Sequence, residues 1–152
     1  YDNITLRDHS ITREQAEKSL ETVGLFEAVN QLPLGMDTVI GEGAQQLSFG
    51  QTQLLSLARA IVTDPPLLLL DELTSGLDAK TEKQVLEAIR NISGTRTIIT
   101  ISHRLSGIID ADIVHIMERG RIMESGSPGK LAENEGWYSI YKRLEDRGWR
   151  IS

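Results

Sequence analysis

The chain has 152 residues and no cysteine, and its 16 Lys and Arg face 22 Asp and Glu, a net charge of −6. That balance excludes a generic nucleic-acid binder, which needs surplus positive charge against phosphate. The absence of cysteine excludes a disulfide framework and thiolate metal sites, and no run of about 20 apolar residues offers a membrane-spanning helix. The length suits one domain, which at about 150 residues hides roughly 68–70% of its unfolded surface. Lack of cysteine also fits a reducing compartment. Tyr1 opens the chain without a leader-like segment. The expectation is a piece cut from a longer protein.

The first helix signal is Thr12-Arg13-Glu14-Gln15, a capping box. Ala16, Leu20 and Val23 follow at helical spacing, and Gly24 is a stop. Leu25 to Leu32 predicts one more short helix before Pro33. Pro33 to Gln46 reads as loop, with a short extended piece at Thr38–Ile40. Ser48-Phe49-Gly50-Gln51 is a second capping box. Behind it Leu54, Leu55, Ala58, Ile61 and Val62 form a helical stripe, which Asp64-Pro65-Pro66 ends.

Leu67 to Leu70 is too short for a helix and predicts a buried strand. A loop over Leu73–Leu77 leads to Asp78, a good N-cap. Val85, Leu86, Ile89 and Ile92 mark a helix ending near Gly94. Thr97–Ile101 is β-branched and predicts the next strand. Strand, helix, strand at this spacing is a βαβ unit, with parallel strands and a right-handed crossover. Ile113–Met117 and Arg121–Glu124 predict two further strands around a turn at Glu118-Arg119-Gly120. Leu131 to Leu144 reads as broken helix. Its Trp137, Tyr138, Ile140, Tyr141 and Leu144 suit one packing stripe, and Trp149 lies beyond.

Asp71-Glu72 follows the leucine strand directly. Open α/β sheets bind ligands beyond the carboxyl ends of their strands. Successive strand residues point to opposite faces, so the two carboxylates have different work. One suits a metal, directly or through water, and the other suits a proton taken from a nucleophile. They equally suit capping the next helix or pairing with Lys and Arg. His103 follows Thr97–Ile101 in the same way and reaches the same rim if the strands are neighbours. A helix N-terminus at Ser48 offers free N–H groups and partial positive charge to a phosphate. Gly50 lets an anion approach, at a helix cost of up to roughly 1 kcal/mol against Ala. An ordinary capping box with a tolerated glycine fits the same residues. A G-x-x-x-x-G-K-[ST] cradle is missing: the one Gly-Lys pair, Gly129-Lys130, has Glu124 five positions earlier and Leu131 after it.

Together these segments resemble the C-terminal two-thirds of an ABC transporter nucleotide-binding domain, in order along nearly the whole chain. Leu47-Ser48-Phe49-Gly50-Gln51 resembles the signature, usually LSGGQ. Leu67 to Glu72 resembles the Walker B strand with its glutamate. Ser75-Gly76-Leu77-Asp78 resembles the D-loop, usually SALD, and His103 falls at the H-loop. Ala58-Arg59-Ala60 and Asp64-Pro65 also fit. Thr38-Val39-Ile40-Gly41-Glu42-Gly43 resembles the exporter X-loop, and Asp2-Asn3-Ile4 the end of the segment after the Q-loop. Phe49, Thr52, Leu73 and Gly76 depart from the usual Gly, Arg, Ala and Ala.

The resemblance implies an α/β fold, an incomplete P-loop NTPase core with a parallel sheet plus the helical signature subdomain. Residues 1–62 would be that subdomain with its helix, and 63–152 the core and C-terminal helices. It implies ATP and Mg²⁺ in the complete domain, with two such domains, identical or different, sandwiching nucleotide head to tail. Ser48, Gly50 and Gln51 would meet the partner's nucleotide. Asp71 would hold Mg²⁺ through water, Glu72 would polarise the attacking water, His103 would contact the γ-phosphate, and Asp78 would act across the dimer seam. Thr38–Gly43 would meet transmembrane coupling helices at the cytoplasmic face of a membrane. The P-loop, the Q-loop glutamine and the adenine-stacking aromatic would precede Tyr1, so the isolated chain is expected to be inactive. Soluble ABC ATPases of DNA repair or translation share the signature, Walker B and histidine, and are the alternative. A non-catalytic assembly fragment is another.

Overall fold

In the computed structural model, residues 1–41, 44, 46–108 and 110–147 are described. The chain divides into two units, Tyr1–Ile99 and Thr100–Ser152, with the boundary inside a strand.

The first unit opens with a single turn, α1 (Asp2–Thr5), which the sequence did not predict. One turn has little stability of its own. It is held from outside: the Arg59 Nε–H donates to the Asn3 carbonyl at 2.6 Å. Helix α2 (Arg13–Thr22) has the expected capping box. Thr12 Oγ1 accepts the Gln15 N–H at 3.2 Å, and Gln15 Oε1 accepts the Thr12 N–H at 2.7 Å. Gly24 follows at φ 72°, a left-handed stop that glycine adopts at little cost. Helix α3 (Phe26–Asn30) and a 3-10 turn (Gly35–Asp37) lead to α4 (Phe49–Ile61).

Helix α4 is the hub. Leu54, Leu57, Ala58 and Ile61 recur at helical spacing and are buried with Ala16 and Leu20 of α2. Strand β1 (Leu67–Asp71) follows, then α5 (Ala79–Ser93), whose Val85, Ala88 and Ile92 complete the same core. Strand β2 (Thr97–Ile101) is the neighbour of β1, and α5 is the crossover of a parallel βαβ unit. The Thr97 N–H donates to the Pro66 carbonyl at 2.9 Å and starts the pairing.

The expectation of a buried leucine strand is corrected: only alternate residues are buried. Leu68 and Leu70 are in the core, while Leu67 and Leu69 are 47% and 71% exposed. Ile99 and Ile101 of β2 are likewise exposed. The reason is the two-residue period of a strand: described residues cover only one face of the sheet.

The second unit holds the hairpin β3 (Val114–Glu118) and β4 (Arg121–Gly126), antiparallel with a register irregularity between Ile116 and Met117. Arg119 and Gly120 both have positive φ, 48° and 75°, as a tight two-residue hairpin turn requires. Helices α6 (Pro128–Glu133) and α7 (Trp137–Asp146) are the broken helix. Val114, Leu131 and Tyr138 form a small core. Gly136 has no capping side chain, and the Glu124 carboxylate accepts the Trp137 and Tyr138 N–H groups instead. The aromatic stripe is corrected in part: Tyr138 is buried, but Trp137 and Ile140 are exposed. Trp137 stacks on Tyr141 with centroids 6.1 Å apart. Trp149 lies outside the described residues.

Candidate functional site

Strand β1 runs out at Asp71, and Glu72 turns the chain with a left-handed backbone, φ 46°. Such a conformation costs a non-glycine residue about 1–2 kcal/mol, and strain of this kind gathers at functional positions. The Ser75 N–H closes the turn on the Glu72 carbonyl at 2.9 Å. Both carboxylates are exposed. Below them Thr74 and Leu77 are buried and anchor the loop that leads to α5.

Asp78 is the N-cap of α5. Its Oδ1 accepts the Lys80 and Thr81 N–H groups at 3.0 and 3.1 Å, and its Oδ2 accepts the Thr81 hydroxyl at 2.7 Å. Those bonds, the Thr81 hydroxyl first, hold its carboxyl below the usual carboxylate range.

The N-terminus of α4 carries the second capping box. Ser48 Oγ accepts the Gln51 N–H at 3.2 Å, and Gln51 Oε1 accepts the Ser48 N–H at 2.9 Å. Gln51's amide oxygen is therefore engaged within the helix start. The Ser48 hydroxyl keeps its own proton to donate. The N–H groups of Phe49 and Gly50 lie in the first turn, where no carbonyl one turn earlier can pair with them. Ser48 and Phe49 are exposed, while Gly50 is buried. A Cβ placed on Gly50 would overlap the Thr81 methyl of α5. The side-chain position of Gly50 thus faces α5. Phe49 reaches the same neighbourhood, its ring 3.6 Å from where a Gly76 Cβ would stand. The signature-like segment thus approaches the D-loop-like one through Phe49 and Gly76, 27 positions apart, and approaches α5 through Gly50 and Thr81, 31 positions apart.

His103 belongs to the second unit and is exposed on the bend after β2. Ser102 shapes that bend: its hydroxyl donates to the Arg104 carbonyl at 2.8 Å and accepts the Arg104 N–H at 3.0 Å. In the segment Thr38–Gly43, Val39 is 73% exposed and Gly41 has φ 144°; Glu42 and Gly43 lie outside the described residues. Among the described residues no cluster of three or more His, Asp and Glu is arranged around a metal position. None of their helices is long and apolar enough to cross a membrane. A cleft of about 360 Å³ between α6 and α7, lined by Glu133, Asn134, Lys142 and Arg143 among others, includes none of the sequence-predicted site residues.

Residues 1–75 match the family described as ABC transporter. The chain is 41% identical over 146 residues to ABC transporter B family member 21 of Arabidopsis thaliana, covering 95% of this chain and 11% of that protein. It is 42% identical over 135 residues to the ATP-dependent lipid A-core flippase of Pseudoalteromonas atlantica, covering 89% of this chain and 23% of that one. The structure of a bacterial Atm1-family ABC exporter with ATP bound superposes with a TM-score of 0.82 at 34% identity, over 95% of this chain and 25% of that chain. The chain therefore spans a quarter or less of these proteins.

Two outcomes follow from the local geometry. Asp78's depressed carboxyl contributes stability above its unfolded pKa that is lost as pH falls through the folded value. Melting temperatures of the wild type and Asp78→Asn should therefore differ at pH 7 and converge below about pH 4; a constant gap would separate the cap from the titration. At Glu72, the Gly variant should be more stable than the Ala variant by roughly 0.5–1 kcal/mol, because only alanine keeps the left-handed penalty. Equal denaturant midpoints would remove the strain.

Proposed function

The chain belongs to the ABC transporter family, and from that premise we propose that it is the signature-bearing and Walker B-bearing part of a nucleotide-binding domain that hydrolyses ATP to drive export. The observation that carries this reading is the pair Asp71 and Glu72, consecutive and exposed at the carboxyl end of β1, where α/β sheets receive ligands. In this reading residues 1–62 act as the signature subdomain and 63–152 as the core with the C-terminal helices. The bare face of Leu67, Leu69 and Ile99 is covered by the P-loop-bearing part of the complete domain.

Glu72 takes the proton of the attacking water, general-base work of about 10²–10⁴-fold. Its left-handed backbone turns the chain out of β1 at this residue. Asp71 would hold Mg²⁺ through a bound water, a hard oxygen donor set that suits this ion. The bound ion supplies charge neutralisation on the phosphates. His103 contacts the γ-phosphate and orients the water. On a second nucleotide-binding domain, identical or not, nucleotide meets the Ser48 hydroxyl and the Phe49 and Gly50 N–H groups, donors aimed by the start of α4. Gln51 serves this contact by fixing Ser48, and Asp78 acts at the seam between the two domains. Splitting the site between two chains lets docking switch the reaction. Thr38–Gly43 meets the transmembrane domain, which places the chain at the cytoplasmic face of a membrane. The exporter neighbour supports this over a soluble ATPase.

In the full-length protein carrying this chain, Glu72→Gln should lower steady-state ATP hydrolysis at least about 100-fold and leave ATP binding intact. Near-normal turnover would remove Glu72 as the base. The 152-residue chain alone has an acidic rim, net charge −6 and no Gly-Lys-Ser/Thr cradle, so it should repel a polyanion. Calorimetry with Mg-ATP should show no micromolar binding, and a phosphate-release assay no steady turnover.

A further inference from the structure

Gly50 and Thr81 stand 31 positions apart, yet the methyl of one fills the side-chain place of the other. A threonine methyl elsewhere would swing aside. Here it is held, because the same side chain donates its hydroxyl to Asp78 Oδ2 at 2.7 Å. A β-branched residue has few χ1 choices in a helix, and turning the methyl away from Gly50 would break the bond to Asp78. The Phe49 ring, 3.6 Å from where a Gly76 Cβ would stand, brings the start of α4 near the loop that leads into α5 as well. Leu54, Leu57, Ala58, Val85 and Ala88 then pack α4 and α5 into one core.

We propose that Thr81 is a positioning residue that clasps the start of α4 to the start of α5: its methyl sets the distance to Gly50 while its hydroxyl holds Asp78. The anion-facing turn at Ser48 and Phe49 then moves only together with the loop from Thr74 to Asp78. Thr81 itself touches no nucleotide. Gly50 is glycine because Thr81 occupies its Cβ position, rather than to admit a phosphate. The functional half of this inference rests on the ATPase reading above; the packing half does not.

A double-mutant cycle tests it. Thr81→Ser removes the methyl and keeps the hydroxyl for Asp78, so it opens the space that Gly50→Ala needs. In the 152-residue chain, Gly50→Ala should lower the melting temperature by about 5 °C, as overpacking does. Gly50→Ala with Thr81→Ser should return to within about 2 °C of Thr81→Ser alone. If Gly50→Ala yields no folded protein, a regained melting transition in the double variant counts as the recovery. Additive losses would overturn the clasp. In the full-length protein, Gly50→Ala should lower ATPase activity at least about tenfold, and adding Thr81→Ser should bring it back to within about threefold of wild type. Recovered stability without recovered activity would overturn the positioning role and return Gly50 to phosphate approach. A wild-type protein without ATPase activity would sink the ATPase reading and leave the melting cycle as it stands.

Discussion

Two helices can begin within a methyl group of each other only if one of them gives up its side chain. At the junction of α4 and α5 it is Gly50 that does so, and Thr81 that takes the space. The rest of the first unit follows from this approach. It brings Leu54, Leu57 and Ala58 against Val85 and Ala88 in one core, and interiors of this kind tolerate little displacement. It also fixes where the loop from Thr74 to Asp78 ends, since Asp78 is bonded to the same threonine. A glycine in the first turn costs helix propensity, and the packed contact offsets that cost.

Charge is distributed on the two sides of this junction in opposite senses. Beyond β1 stand Asp71 and Glu72, two exposed carboxylates on an acidic chain. At α4 stand a hydroxyl and first-turn N–H groups with the partial positive charge of a helix start. One end suits a cation or a water to be deprotonated, and the other suits an anion. A single nucleotide phosphate cannot be served by the acidic end without an intervening positive group. The exposed, strained position of Glu72 belongs to the same economy: a backbone that wanted only to leave the strand would use glycine there.

The parts of this fold that the sequence disclosed are local ones. Thr12, Ser48 and Asp78 were legible as caps because a cap and its partner lie within three residues. Gly120 marked its turn for the same reason. Long-range causes stayed hidden. Helix α1 exists through Arg59, 56 residues away from Asn3. Gly50 invited a phosphate reading because its neighbours in sequence are a capping box; its neighbour in space is Thr81. The signal for Thr81 was present as Asp78-x-x-Thr81 at a helix start, and its second contact was not. Asp71, Glu72 and His103 stood out in the sequence through their positions at the ends of strands, and they do lie there and are exposed; the exposure of Leu67 and Leu69 was not legible, since a run of identical residues marks neither face.

That run has a further consequence for strand register. Sliding β1 by one residue exchanges Leu68 and Leu70 for Leu67 and Leu69, leucine for leucine, so apolar burial scarcely distinguishes the two alignments. Parity does. Leu67, Leu69 and Asp71 share a face, so the slipped alignment drives the Asp71 carboxylate inward, where an unpaired charge is not tolerated. The acidic residue therefore acts as an alignment mark for a strand whose own side chains are degenerate. Any residue replacing it would have to preserve that asymmetry before it could serve any chemistry at all.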